Sequence, residues 1–195
     1  MKFAPWWHYR RARFFLLLKQ HDRAVHELRE ALTLEPTFAL AAHSLAVLYG
    51  SLARYTLAIE QFQAFLRLAP NDAAAWFNLG YVYHQDRQYE TAIQAFTKAI
   101  RLDPRIDRAW YGMGLAYRSI GRLAEAAEAL EKSAKLQPMN GHAWYELGIT
   151  YHAMKRREKV QEVMEYLNGF EPKMTMQLMR ETGEKLAAPD AKQQR

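Results

Sequence analysis

Apolar residues recur along this chain with helical rather than strand spacing. Trp76, Leu79, Gly80 and Tyr83 fall at i, i+3, i+4 and i+7. After a polar interval, Ala92, Phe96 and Ala99 fall at i, i+4 and i+7. Each set lines one face of a helix, so the segment predicts two amphipathic helices joined by a short turn. The same pair of patterns returns further along, beginning at Trp110, and earlier, beginning at Ala42. Pro36, Pro70, Pro104, Pro138 and Pro172 keep the same constant period. A proline disfavours the helical state of the residue before it, so each ends a second helix.

With each proline as position 32, the repeats begin at Pro5, Ala39, Ala73, Asp107 and Gly141. Position 4 holds His8, Ala42, Trp76, Trp110 and Trp144. Position 7 holds Arg11, Leu45, Leu79, Met113 and Leu147. Position 8 is small throughout: Ala12, Ala46, Gly80, Gly114, Gly148. Position 11 is aromatic throughout: Phe15, Tyr49, Tyr83, Tyr117, Tyr151. On the second helix, position 20 holds Ala24, Ala58, Ala92, Ala126 and Val160, and position 24 holds Leu28, Phe62, Phe96, Leu130 and Met164. Small residues at 8 and 20 let two helix backbones approach, and the large ones beside them fill the space left. One hairpin buries little on its own; stacked neighbours bury a continuous core.

This pattern resembles the tetratricopeptide repeat (TPR) family, whose 34-residue signature is W-x2-L-G-x2-Y, then A-x3-F, then P. Residues 73–106 match at every one of these positions, and the resemblance spans 5–172. It implies an all-α fold: a right-handed α-solenoid of five TPR helix-turn-helix repeats plus a C-terminal capping helix. The expected repeats are 5–38, 39–72, 73–106, 107–140 and 141–172. Residues 173–186 resume a helical apolar spacing without the signature and are expected to cap the last repeat. Residues 187–195 are expected to form a flexible polar tail. Repeat 1 diverges, with His8 and Arg11 where Trp and Leu belong, as fits a terminal repeat with nothing before it.

Charge and composition change this picture only slightly. Lys and Arg outnumber Asp and Glu by 27 to 21. The surplus favours acidic partners mildly and lacks the dense basic runs of a nucleic-acid binder, so no nucleic acid is expected. The absence of cysteine excludes thiolate catalysis, disulfides and Cys-based zinc sites. Taken from Met1, the apolar run Phe14 to Leu18 is too short for a signal peptide, which leads to a cytoplasmic expectation. No P-loop, H-E-x-x-H, GxGxxG or G-x-S-x-G motif occurs, so no enzyme activity, cofactor or metal is expected.

In the TPR family the first (A) helices line a concave groove through positions 2, 5, 6, 9, 12 and 13. Position 5 carries a ring in every repeat: Tyr9, His43, Phe77, Tyr111, Tyr145. Position 9 is Arg13, Val47, Tyr81, Leu115 and Ile149. With Asn78 and Arg108, these residues form the candidate peptide-binding groove, an aromatic ladder with basic character. Such a groove suits a protein or peptide with apolar anchors and some acidic character, since rigid aromatics dominate binding hot spots. The alternative, equally open, is that the rings pack against neighbouring helices. The chaperone-tail carboxylate clamp of some TPR domains fits poorly: the matching positions hold His43, Val47, Asn78, Arg108 and Gly112.

A second candidate surface is the N-terminal edge, where Trp6, Trp7, Leu16 and Leu17 accompany Arg10, Arg11 and Arg13. If exposed, it suits a partner or a homo-oligomer, and after those a membrane surface; the alternative is that Phe14, Phe15 and Leu18 pack on the second helix and the tryptophans fold over the end. The expected function is that of a non-catalytic interaction adaptor, scaffold or assembly factor holding a peptide or helix. The alternatives are a self-oligomerising scaffold built through the N-terminal edge, or an accessory subunit recruiting substrate to an enzyme.

Overall fold

The computed structural model describes residues 3–186, which contain eleven helices and no strand. None of the described helices is long and apolar enough to cross a membrane. The chain divides into two compact units at Pro104.

The first unit holds α1 (Ala4–Leu17), α2 (His21–Leu34), α3 (Ala39–Ser51), α4 (Tyr55–Leu68), α5 (Ala73–Gln85) and α6 (Tyr89–Leu102). These helices pair as hairpins α1–α2, α3–α4 and α5–α6, and each hairpin packs on the next through α2–α3 and α4–α5. The repeat positions explain the packing. Ala24, Ala58 and Ala92 at position 20 are fully buried, and Leu28, Phe62 and Phe96 at position 24 nearly so. The alanines bring the backbones of a hairpin together, and the large side chains seal the seam beside them.

The second unit holds α7 (Asp107–Ser119), α8 (Leu123–Leu136), α9 (Gly141–Ala153), α10 (Arg157–Asn168) and α11 (Pro172–Thr182). Hairpins α7–α8 and α9–α10 pack through α8–α9. The final helix α11 lies against both α9 and α10. Its Leu178 is fully buried among Leu147, Val163, Met164 and Leu167. Gly148 makes room for it: a Cβ there would stand 2.6 Å from Leu178 Cδ2. The expected capping helix thus covers the hairpin α9–α10, but it stops at Thr182 rather than 186 because Gly183 turns left-handed at φ 71°. The expected polar tail, 187–195, lies outside the described residues.

Two local devices recur with the period. At position 15, between the helices of each hairpin, the backbone is left-handed at Lys19, Ala53, Arg87, Gly121 and Lys155. The next residue then donates its N–H to the carbonyl of the position-11 aromatic, as in Arg54 to Tyr49 and Arg156 to Tyr151, both 2.9 Å. This is the closing bond of a Schellman turn. At position 4, the indole Nε1 of Trp76 donates to the carbonyl of Pro70 (2.8 Å), and that of Trp144 to Pro138 (2.9 Å). The signature tryptophan and proline therefore tie consecutive hairpins with one hydrogen bond.

Repeat 1 solves its divergence internally. His8 Nδ1 lies 2.7 Å from Glu27 Oε2, and an Arg11 guanidinium nitrogen lies 3.0 Å from Glu27 Oε1. Glu27, on α2, is buried. The two polar residues at the expected Trp and Leu positions thus turn inward to a buried carboxylate, which would otherwise be costly to bury.

Candidate peptide-binding groove

In the first unit, α3 and α5 run side by side and leave a groove of about 420 Å³ between them. Val47, Gly50 and Ser51 of α3 form one wall, and Asn78, Tyr81 and Gln85 of α5 the other. Phe62 and Val82 reach its floor, and Ala53 and Tyr55 close one end. The spacing follows from the fold. In α3 and α5, Val47 and Tyr81 at position 9 and Ser51 and Gln85 at position 13 are all exposed, so here these positions are free of the core. Val47 is 44% exposed and Tyr81 52% exposed, which for such residues in a packed repeat leaves an apolar anchor site open to solvent. Gly50 keeps the wall low: its Cα lies so close to α5 that a Cβ would stand 3.3 Å from Val82 Cγ2. Asn78 and Gln85 add amides, and no charged residue lines the groove.

The expected ladder of position-5 rings does not stand open in this groove. His43 lies edge-on to Phe65 (5.1 Å between centroids) and Phe62 (6.0 Å), both on α4. Phe77 lies against Phe96 of α6 at 6.1 Å. Tyr9 packs edge-on to Trp6 (5.9 Å) and Phe38 (5.4 Å). For His43 and Phe77 the reason is geometric: position 5 follows position 4 by one helical step and still faces helix B of its own hairpin. Only Val47, Asn78 and Tyr81 of the expected set meet in the first-unit groove. Arg13 is elsewhere, lining a depression with Arg10, Phe14, Leu16 and Leu17 on α1.

In the second unit, Tyr111, Tyr145 and Ile149 pack against the core cluster around Leu147. Arg118 of α7 pairs with Glu146 of α9, which ties the two A helices and neutralises the arginine. Burial raises the Tyr111 phenol above its ordinary value, and the Glu146 carboxylate beside it adds to this. Tyr145 belongs to the capping contact. Its phenol oxygen accepts a hydrogen bond from Gln177 Nε2 at 3.0 Å. Burial first, then its hydrogen bond to Glu181, push the phenol up to about 12. Leu115 is half-buried and Arg108 exposed, both on α7. The basic character expected of the groove is thus absent from its first-unit stretch, while in the second unit Arg108 stands exposed on α7 and Arg118 is paired with Glu146.

Gly50 at position 12 and Ser51 and Gln85 at position 13 occupy groove positions of the family, but the candidate set, chosen for rings, apolar and basic side chains, left them out. It also missed a cleft on the B-helix side of the first unit, about 460 Å³, lined by Gln63, Arg67, Trp76, Tyr83 and Lys98. Its counterpart in the second unit, two repeats on, is partly filled. There Trp144 stacks on Tyr166 at 4.4 Å, and Glu131 accepts from Tyr151 and Lys135.

The geometry has its parallels among known proteins. Models of the tetratricopeptide repeat match residues 43–105, 86–138 and 111–158, and a further one matches 8–38. No curated protein matches. Among solved structures, MamA is 22% identical over 97% of this chain and 100% of its own, with a TM-score of 0.79. YrrB, described as a TPR protein with an unusual peptide-binding site, is 22% identical over 89% of this chain and 90% of its own (TM-score 0.77). PilF of Pseudomonas aeruginosa is 21% identical over 93% of each chain (TM-score 0.69). At these identities the likeness shows a shared fold, the all-α TPR solenoid.

Proposed function

The chain belongs to the tetratricopeptide-repeat family, and on that premise we propose that it is a non-catalytic adaptor that holds a peptide segment of another protein in the α3–α5 groove. One observation carries the reading: Val47 and Tyr81 stand exposed side by side over a groove with room for a side chain. In a repeat array whose other large residues are mostly spent on packing, two such residues facing one cavity form an anchor site. Tyr81 offers a rigid ring, Val47 an apolar wall, Phe62 and Val82 an apolar floor, and the Asn78 and Gln85 amides can bond a peptide backbone. The ligand this selects has an apolar anchor residue in a neutral stretch. YrrB, a structural neighbour, is described as having a peptide-binding site, which supports the same use of the fold.

The test is selection of binders from a displayed random-peptide library, followed by titration against the wild type and Tyr81→Ala. Tyr81 is more than half exposed, so the variant retains helicity. Selected peptides should lose about tenfold or more in affinity, which is roughly 1.4 kcal/mol and typical of an aromatic hot spot. Peptides that bind both proteins equally would move the site off this groove.

A further inference from the structure

The outward face of α1 carries a second docking seam. Phe3, Trp7, Arg10, Phe14 and Leu17 recur at i, i+4, i+7, i+11 and i+14, the alternating four-and-three spacing of a helix-packing stripe. Trp7 is 62% exposed, Phe14 57% and Leu17 82%. Later repeats show what this face is for. The position of Trp7 is taken by Ala41, Ala75 and Ala143, all fully buried. The position of Phe14 is taken by Leu48, Val82 and Thr150, also buried. Val82 there faces Gly50 on the A helix of the preceding hairpin. In repeat 1 the same face has no preceding hairpin among the described residues, yet it bears the bulkiest side chains of the series. A stacking face left to water would be polar.

We infer that this seam docks an acidic amphipathic helix of a partner protein, laid where a preceding hairpin would lie. The charges favour that occupant over two others. The α1 sequence contains no acidic residue, and Arg10 sits in the middle of the stripe with Arg13 and Arg11 at its margins. Arg11 is already paired to Glu27, while Arg10 and Arg13 are exposed. A second copy pairing its own α1 antiparallel about the stripe centre would set Arg10 against Arg10, and like charges directly opposed are repulsive. A lipid surface needs the apolar and basic residues on opposite faces, whereas here Arg10 divides the apolar row. A glutamate or aspartate on a docked helix meets Arg10 and fixes the register, as a polar residue inside a helix seam does. This site is separate from the α3–α5 groove and stands or falls without it.

The experiment uses the full chain and two synthetic amphipathic peptides of roughly three heptads with one shared leucine seam. One peptide carries glutamates within and beside the seam, the other lysines, and binding is read by fluorescence anisotropy. The glutamate peptide should bind at least about tenfold more tightly than the lysine peptide. Trp7→Ala with Phe14→Ala should abolish that preference, Arg10→Glu should reverse it, and Tyr81→Ala should leave it unchanged. All four substitutions are at exposed positions, and circular dichroism checks their helicity. Equal binding of the two peptides, or loss on Tyr81→Ala instead, overturns the inference. So does Trp7- and Phe14-dependent binding to phosphatidylserine vesicles without peptide binding, which reassigns the face to lipid. A Trp7- and Phe14-dependent dimer in sedimentation equilibrium overturns it in favour of a second copy.

Discussion

Gly80→Ala sets two opposing effects against each other within one hairpin. Gly80 lies at position 8, in the middle of α5, where glycine costs about 1 kcal/mol of helix stability relative to alanine. Propensity alone therefore predicts that the substitution stabilises. Packing predicts the reverse. A Cβ at residue 80 would stand 2.7 Å from Phe96 Cδ1, 2.8 Å from Cε1 and 3.1 Å from Cγ. The Phe96 ring is itself 1% exposed and cannot swing away, so α5 and α6 must separate. Overpacking of this kind costs about 1–3 kcal/mol. The net expectation is a loss of about 1 kcal/mol, or a fall of roughly 2–4 °C in Tm for a chain of this size.

The first-unit hairpin α3–α4 sharpens the test. It holds Ala46 opposite Phe62, the same ring with a methyl group already present. A methyl group at position 8 together with a phenylalanine at position 24 is thus a combination the fold can hold. The surroundings differ in α5–α6, where Ala95 and Ala99 are buried at the positions that hold Gln61 and Phe65 in α3–α4. Gly80→Ala combined with Phe96→Leu should recover most of the loss, because a leucine leaves the space the methyl needs. The coupling is read as the departure from additivity in urea denaturation followed by circular dichroism. Repeat arrays unfold in parts, so hydrogen exchange of α5 and α6 locates the effect. A rise in Tm on Gly80→Ala alone would refute the reasoning, since the hairpin would then have opened freely and left only the propensity gain.

Two further outcomes follow from local features. Ala53 holds a left-handed backbone at φ 56°, a conformation that costs an L-residue about 1–2 kcal/mol, so Ala53→Gly should stabilise by roughly 0.5–1 kcal/mol after the extra entropy of unfolded glycine is subtracted; thermal melting checks it, and an unchanged or lower Tm sinks it. The Tyr145 phenol is raised to about 12, so the neutral form is the one the folded state prefers; its stabilisation is full below pH 10 and is lost as pH climbs from about 10 through 12. The protection of α11 amides against exchange, taken relative to the base-catalysed rate of a free amide, should fall over that window in the wild type and much less so in Tyr145→Phe, and an equal fall in both would show that Tyr145 does not hold the cap.

The fold was legible in the sequence because its determinants are short-range and repeated. Period, proline comb and small-residue positions each place a helix or its end, and five copies in one register leave little freedom. The left-handed turn at position 15 was not legible. Glycine is the residue that ordinarily marks such a turn, and only Gly121 supplies it, while Lys19, Ala53, Arg87 and Lys155 adopt the same backbone. The Schellman bond to the position-11 carbonyl recurs at all five and accompanies the strained φ without any sequence mark. Repeat 1 was legible only in part. His8 and Arg11 stand out as departures from the pattern, but their inward turn depends on Glu27 lying across from them on α2.

The groove separates what a repeat pattern can show from what it cannot. Positions 5 and 9 are both non-signature positions of helix A, and both carry large side chains here. Whether such a residue reaches solvent depends on how far helix A is rolled against helix B, which the long-range hairpin contacts set. That roll turns His43 and Phe77 onto Phe65 and Phe96 and leaves Val47 and Tyr81 outside. Exposure of Trp7 and Phe14 has a different cause. Their positions face the preceding hairpin, so later repeats bury alanine, leucine, valine and threonine there. In the middle of the first unit the roll opens a neutral groove between two A helices. At the N-terminal end, where no hairpin lies on that side among the described residues, the stacking face itself is left as a seam divided by Arg10. The proposed adaptor role asks that these two surfaces, different in charge and carried on one scaffold, bind two partners at once.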